Sequence, residues 1–287
     1  MKNGFQVSFY DINENLEIDF ESCIHRRTRD TAAILFVNYF GFMQPREKVE
    51  RLSGLGIMLI EDNTQSFLTG SVLFDAGNFR GWSFDSFRKM LPVADGASLM
   101  AAGAHELTGV SLYGPPLAHL AAHWGGLILK KFALGLPRHY IESLRQNFFT
   151  LSVRTMDYTA PSGISSLSRR MIRHMDIPDI RAKRRRNYIT LLKNLKENDF
   201  CRPVFRELPE GVCPFGMPIY AGNREALKKR LAREKIAGAV LWENARQTAG
   251  AENPVSRKIS ENIMVLPVGQ AYSEKDMLRI SQVINGG

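Results

Sequence analysis

The stretch IMLIEDNTQS, residues 57–66, runs four apolar side chains directly into the acidic pair Glu61 and Asp62. Upstream, AAILFVNY at 32–39 has the same make-up. Short, nearly continuous apolar runs of this kind are the pattern of strands buried on both sides, which a parallel sheet requires. Residues 45–52 between them read as an amphipathic helix, residues 19–26 as an earlier helix, and residues 5–10 as a further strand. The alternation predicts an α/β protein with a mostly parallel sheet covered by helices on both faces.

Working outward, residues 116–134 read as helical, and Pro161, Ser162 and Gly163 mark a loop. Helical periodicity returns over 165–195 with a dense basic run of Arg181, Lys183, Arg184, Arg185 and Arg186. A smaller α/β unit follows: strands at 218–221, 239–242 and 263–266, a helix at 224–234, and a last helix at 273–284 with Ser273 as its N-cap. These divisions predict a larger domain over 1–160, a connecting helical segment over 161–196 and a small domain over 197–287.

The 287 residues are 44% hydrophobic and 23% charged, the composition of a globular protein. Residues 1–20 carry four acidic side chains and no apolar core of a secretory signal, and the greasy stretch 117–136 is broken by His119, His123, Lys130 and Lys131. A cytoplasmic protein without a membrane segment is expected. Cys23, Cys201 and Cys213 are far apart and lack C-x-x-C spacing, which argues against a disulfide framework or zinc knuckle. His119 and His123 stand one helical turn apart without a third ligand, so no metal site is expected. The formal charge of +9 permits an anionic partner, and the basic run reads as a solvated helix face in preference to a nucleic-acid contact.

In an open parallel sheet, ligands bind beyond the carboxyl ends of the strands, where Asp62 lies. A carboxylate there can hold a pyridine nitrogen protonated, or simply cap the next turn. The segment WSFDSFRK, residues 82–89, followed by Asp95 and Gly96, sets Lys89 in a largely apolar run. Desolvation keeps such an amine partly neutral and able to attack an aldehyde; the plain alternative is a surface lysine.

Val37-Asn38-Tyr39-Phe40-Gly41, then Leu59 to Ser66, then the Ser-Phe, Lys89 and Asp95-Gly96 block together resemble the DegT/DnrJ/StrS family of pyridoxal-phosphate (PLP) sugar aminotransferases. Arg184 to Tyr188 resembles that family's inter-domain helix, and the segments from Val265 and from Tyr272 its closing strand and helix. The resemblance implies pyridoxal 5'-phosphate as cofactor, in an incomplete fold type I large domain. Lys89 would be the Schiff-base lysine, Asp62 the partner of the ring nitrogen, Gln65 a residue near the ring, and Ser83 or Ser86 a phosphate ligand. It implies transamination of a nucleotide-activated keto sugar by an amino-acid donor in polysaccharide or glycoside biosynthesis, by a homodimer that binds neither nucleic acid nor membrane.

Two departures stand beside the resemblance. The family's serine-to-lysine spacing is one residue shorter than Ser83 to Lys89. Residues 1–10 resemble a point well inside the family's large domain, past the phosphate-cradling turn at a helix N-terminus. A chain that begins so late is expected to leave apolar surface uncovered. The alternative reading is a non-catalytic PLP-fold remnant that serves as a binding or partner subunit.

Overall fold

Ala33–Val37 forms strand β1 and Met58–Asp62 forms β2, paired in parallel with Val37 beside Asp62. Gly81–Phe84, β3, adds to the other side of β2, also in parallel, so that Glu61 faces Ser83 and Asp62 faces Phe84. Leu99–Ala102, β4, closes this sheet antiparallel to β3. Glycine is required at position 81, because a Cβ there would lie 2.1 Å from the carbonyl oxygen of Leu59. The computed structural model describes residues 4–75, 80–102, 112–132, 138–155, 161–197, 201–236, 238–242 and 253–286.

Strand alternation divides the sheet into two faces. One carries Ile34, Phe36, Leu59 and the buried polar pair Glu61 and Ser83. Helices α1 (Phe20–Arg26), α2 (Arg46–Ser53) and α3 (Val72–Asp75) belong to this side, and Cys23, Val49, Leu52, Val72 and Leu73 fill its core with Phe36 and Leu59. Asp19 fixes the start of α1 by accepting from the Ser22 amide at 3.0 Å. The other face carries Leu35, Ile60, Asp62, Trp82, Phe84 and Leu99. Leu35 is 45% exposed and Leu99 51%.

The mostly parallel, helix-covered sheet is as expected, but cover over the second face is incomplete among the described residues. The strand expected at 5–10 does not form either. This segment is irregular, and at its end the Tyr10 hydroxyl donates to the Leu35 carbonyl of β1 at 2.8 Å. Phe5, Val7 and Phe9 face solvent, so the apolar alternation there has no sheet to bury it.

Helices α4 (Leu117–Phe132) and α5 (Arg138–Arg154) pack on each other as a hairpin. The basic stretch beyond splits into α6 (Ser166–Arg173) and α7 (Ile177–Asn194), each started by its own cap, Ser165 and Asp176. Strands β5 (Cys201–Pro203), β6 (Met217–Ala221) and β7 (Ile263–Leu266) form a second, antiparallel sheet. It packs with α8 (Arg224–Arg233), α9 (Pro254–Asn262) and α10 (Glu274–Asn285). The strand expected at 239–242 reduces to a single bridge from Ala239 to Val265.

The core of this second unit is closed by Tyr188, Met217, Ile219, Leu266 and Met277, and it takes in Leu16, Phe40 and Phe42 from the first part of the chain. Phe42 stacks on Phe205 with ring centroids 3.8 Å apart. The loop after β1 is thereby fixed from both sides. Gly41 in that loop has φ +96°, and a Cβ would come within 2.2 Å of the Cys213 carbonyl.

Candidate active site

The carboxyl ends of β1, β2 and β3 are held together by a buried polar network on the helix-covered face. Glu61 accepts from Asn38 Nδ2 and the Val72 amide, both at 2.8 Å, and from the Ser71 hydroxyl. Asn38 Nδ2 also reaches Asn63 Oδ1, and Asn63 Nδ2 donates to Ser83 Oγ at 3.0 Å. Every member is satisfied, which is what permits so many polar atoms in a core. Ser83 is thus held inside the protein, on the face opposite Asp62.

Asp62 ends β2 on the open face. Its Oδ1 accepts from the Thr64 amide at 2.9 Å, and among the described residues its Oδ2 accepts from none. Tyr39 lies close enough to feel the charge: its phenol is pushed up to about 12, first by burial and then by Asp62. Gln65 uses Oε1 to accept from the Phe40 amide at 3.0 Å. Phe40 has φ +57°, a backbone region that a bulky residue occupies only when its surroundings demand it. Gln65 therefore braces the loop after β1 beside Asp62.

Lys89 sits at the end of a short 3₁₀ turn, Phe87–Lys89, reached through Ser86. The turn is anchored from below by Met90, Leu91 and Val93, which pack with Leu68, Ile180 and Cys213, and by Phe87 against Phe67 at 4.7 Å between centroids. Lys89 remains exposed, and its Nζ donates to Thr64 Oγ1 at 2.8 Å. Desolvation of the amine pulls it below the ordinary lysine range; the carboxylate of Asp62 opposes this, and Arg88 adds to it. Ser86 makes no side-chain capping bond, and its hydroxyl has no partner among the described residues.

The structure therefore brings Asp62 and Lys89 together through Thr64, with Gln65 bracing the neighbouring loop, Ser86 leading into the turn that carries Lys89, and Ser83 turned to the covered face. Two contributors were not singled out from the sequence. Thr64 touches both Asp62 and Lys89, and nothing in its residue type announces that. Arg184 of α7 is buried and donates to Gln270 Oε1 at 2.8 Å, Pro214 O at 3.0 Å, Phe215 O at 3.1 Å and Met90 O at 3.2 Å. It ties α7 to the residue next to Lys89.

The donor set fits an aromatic aldehyde with a basic ring nitrogen. It offers an amine with a depressed pKa, a carboxylate with one oxygen unengaged and a free serine hydroxyl, and half-buried Ile60, Trp82 and Phe84 share the sheet face of the carboxylate. No group of three His, Cys, Asp or Glu side chains placed to hold a metal ion occurs among the described residues. His119 and His123 bond instead to Ser152 between α4 and α5. No described helix is long and apolar enough to cross a membrane.

No family model matches the chain, and no curated protein matches it. Solved structures do. The sugar aminotransferase CalS13 from Micromonospora echinospora superposes with a TM-score of 0.66 over 100% of this chain and 76% of its own, at 16% identity. AtS13 from Actinomadura melliaura gives 0.68 over 100% and 75%, at 14% identity. A DegT DnrJ EryC1 StrS aminotransferase from Brucella abortus gives 0.61 over 97% and 72%, at 20% identity. The chain has the fold of these sugar aminotransferases over its whole length.

Proposed function

We propose that the chain carries the amine and ring-nitrogen halves of a PLP site and serves transamination of a nucleotide-activated keto sugar by an amino-acid donor. The observation that supports this most is the meeting of Asp62 and Lys89 at the carboxyl ends of parallel strands, joined through Thr64. When bound, the cofactor supplies an aldehyde and an electron-withdrawing ring that stabilises a neighbouring carbanion. Asp62 would hold the proton on the ring nitrogen. Lys89, as a neutral amine, would be the residue that holds the aldehyde and, once freed, the base and acid that moves the proton of the amino-group exchange. Ser86, whose hydroxyl makes no bond to a described residue, would donate to the phosphate. Gln65 keeps the loop after β1 in place.

The basic side chains of α7 suit the diphosphate of a nucleotide sugar. A cytoplasmic homodimer acting in polysaccharide or glycoside biosynthesis completes the proposal. Addition of PLP to the purified chain should give a visible absorption band, and borohydride should fix the cofactor to the Lys89 peptide, identified by mass spectrometry. Lys89→Ala should abolish the adduct, and Asp62→Asn should weaken binding about tenfold or more. An unchanged band in Lys89→Ala overturns the assignment.

One observation favours a second reading. Leu35 and Leu99 are exposed on the very face that bears Asp62, as in a subunit that works against another chain. On that reading the chain is a non-catalytic partner, and the wild type forms no adduct at Lys89.

A further inference from the structure

Lys89 and Asp62 are close enough for the carboxylate to influence the amine, yet they form no ion pair. Thr64 stands between them. Its amide holds Asp62 Oδ1 at 2.9 Å, and its hydroxyl accepts from Lys89 Nζ at 2.8 Å. The amine thus rests on a neutral oxygen although an anion with an unengaged oxygen is near. An ammonium on a flexible four-carbon stem ordinarily prefers the carboxylate, because charge-assisted hydrogen bonds are about twice as strong as neutral ones.

We propose that Thr64 is a positioning residue whose hydroxyl holds the Lys89 amine off the Asp62 carboxylate, keeping the two groups apart for a ring to enter between them. This rests on the cofactor reading for its purpose, though not for its geometry. A direct Lys89–Asp62 pair would consume the carboxylate that the ring nitrogen needs and would keep the amine protonated. The charged and titratable groups facing the amine are Asp62 from β2 and Arg88 from its own turn, with Tyr39 against Asp62 from the loop after β1. Thr64 is the neutral contact among them.

The test needs no cofactor. Competitive acetylation with acetic anhydride across a pH series, read lysine by lysine with mass spectrometry, gives the midpoint at which Lys89 becomes nucleophilic. In Thr64→Val the backbone amide still holds Asp62, but the amine has lost its resting place and closes on the carboxylate. The Lys89 midpoint should rise, while the other lysines stay where they are. Thr64→Ser should match the wild type, and adding Asp62→Asn to Thr64→Val should cancel the rise. Separately, borohydride trapping with PLP should fall about tenfold in Thr64→Val and recover in Thr64→Ser.

A Thr64→Val midpoint that is unchanged or lower overturns the proposal, as does a rise that persists with Asp62→Asn. If the midpoint moves as expected while the wild type traps no PLP, the cofactor reading fails and the spacer role of Thr64 stands.

Discussion

Ser83 and Ser86 lie three residues apart, yet one fastens the core and the other, half-buried, has no partner among the described residues. Ser83 Oγ accepts from Asn63 in a network that includes Glu61 and Asn38, so Ser83→Ala leaves a buried donor unsatisfied. It should cost about 1–3 kcal/mol in urea unfolding and leave PLP affinity unchanged. Ser86→Ala should do the reverse, weakening PLP about tenfold with no change in the unfolding midpoint. Equal loss of affinity in both variants would show that the side of the sheet does not decide the ligand. The place of Asp62 at a strand end and of Lys89 in a largely apolar run was legible in the sequence because both have local signatures, whereas Gln65 was named only through the family resemblance. The different surroundings of the two serines were not legible, since they follow from Ser83 pairing with Glu61 across the sheet. Thr64 escaped for a similar reason: its two contacts join groups from different elements.

At the scale of elements, α7 and α10 show two ways in which a helix is secured. Arg184 enters the interior from α7 with four neutral acceptors and no carboxylate, and burial lowers its pKa. Arg184→Met leaves the carbonyls of Pro214 and Phe215 without their guanidinium donor and Met90 O with Gln270 Nε2 alone; the loss should be about 3 kcal/mol in urea unfolding, with weaker trapping of PLP at Lys89 because Met90 keeps only one of its two anchors. Arg184→Lys should not rescue it, since one ammonium cannot span the same acceptors. α10 is fixed at its exposed start, where Ser273 and Asp276 form a reciprocal capping box. Hydrogen bonds from Ser273 hold the Asp276 carboxyl below the usual range. A carboxyl lowered in the fold stabilises above its unfolded value and loses that contribution as pH falls through the folded one. Ser273→Ala should therefore cost about 1 kcal/mol at neutral pH, and its deficit should shrink below about pH 4. The Ser273 cap was readable from sequence because it is local. Arg184 lay in a basic run that reads as solvated surface, and only the tertiary fold turns one arginine of that run inward.

For the whole molecule, the two faces of the first sheet differ in kind. The strands read as doubly buried because their apolar runs are nearly continuous, and that composition is correct for both faces. What sequence cannot supply is the cover, which depends on other elements arriving there. Among the described residues the helices lie over Phe36 and Leu59, while Leu35 and Leu99 on the reverse are about half exposed. Together with Ile60, Trp82 and Phe84 they make a contiguous apolar face ending at Asp62. Patches of this kind bind apolar dyes in the folded state. The native chain should therefore enhance the fluorescence of anilinonaphthalene sulfonate without denaturant, and the double substitution Leu35→Lys and Leu99→Lys should remove most of the signal. Because both side chains already face solvent, the unfolding free energy should change by no more than about 0.5 kcal/mol. The comparison variant is Phe36→Ala on the covered face, which should cost about 3–5 kcal/mol and leave the dye signal of the folded protein in place. A dye signal that survives the lysine pair would mean that the open face is not where the dye binds, and that this side of the sheet is covered in solution.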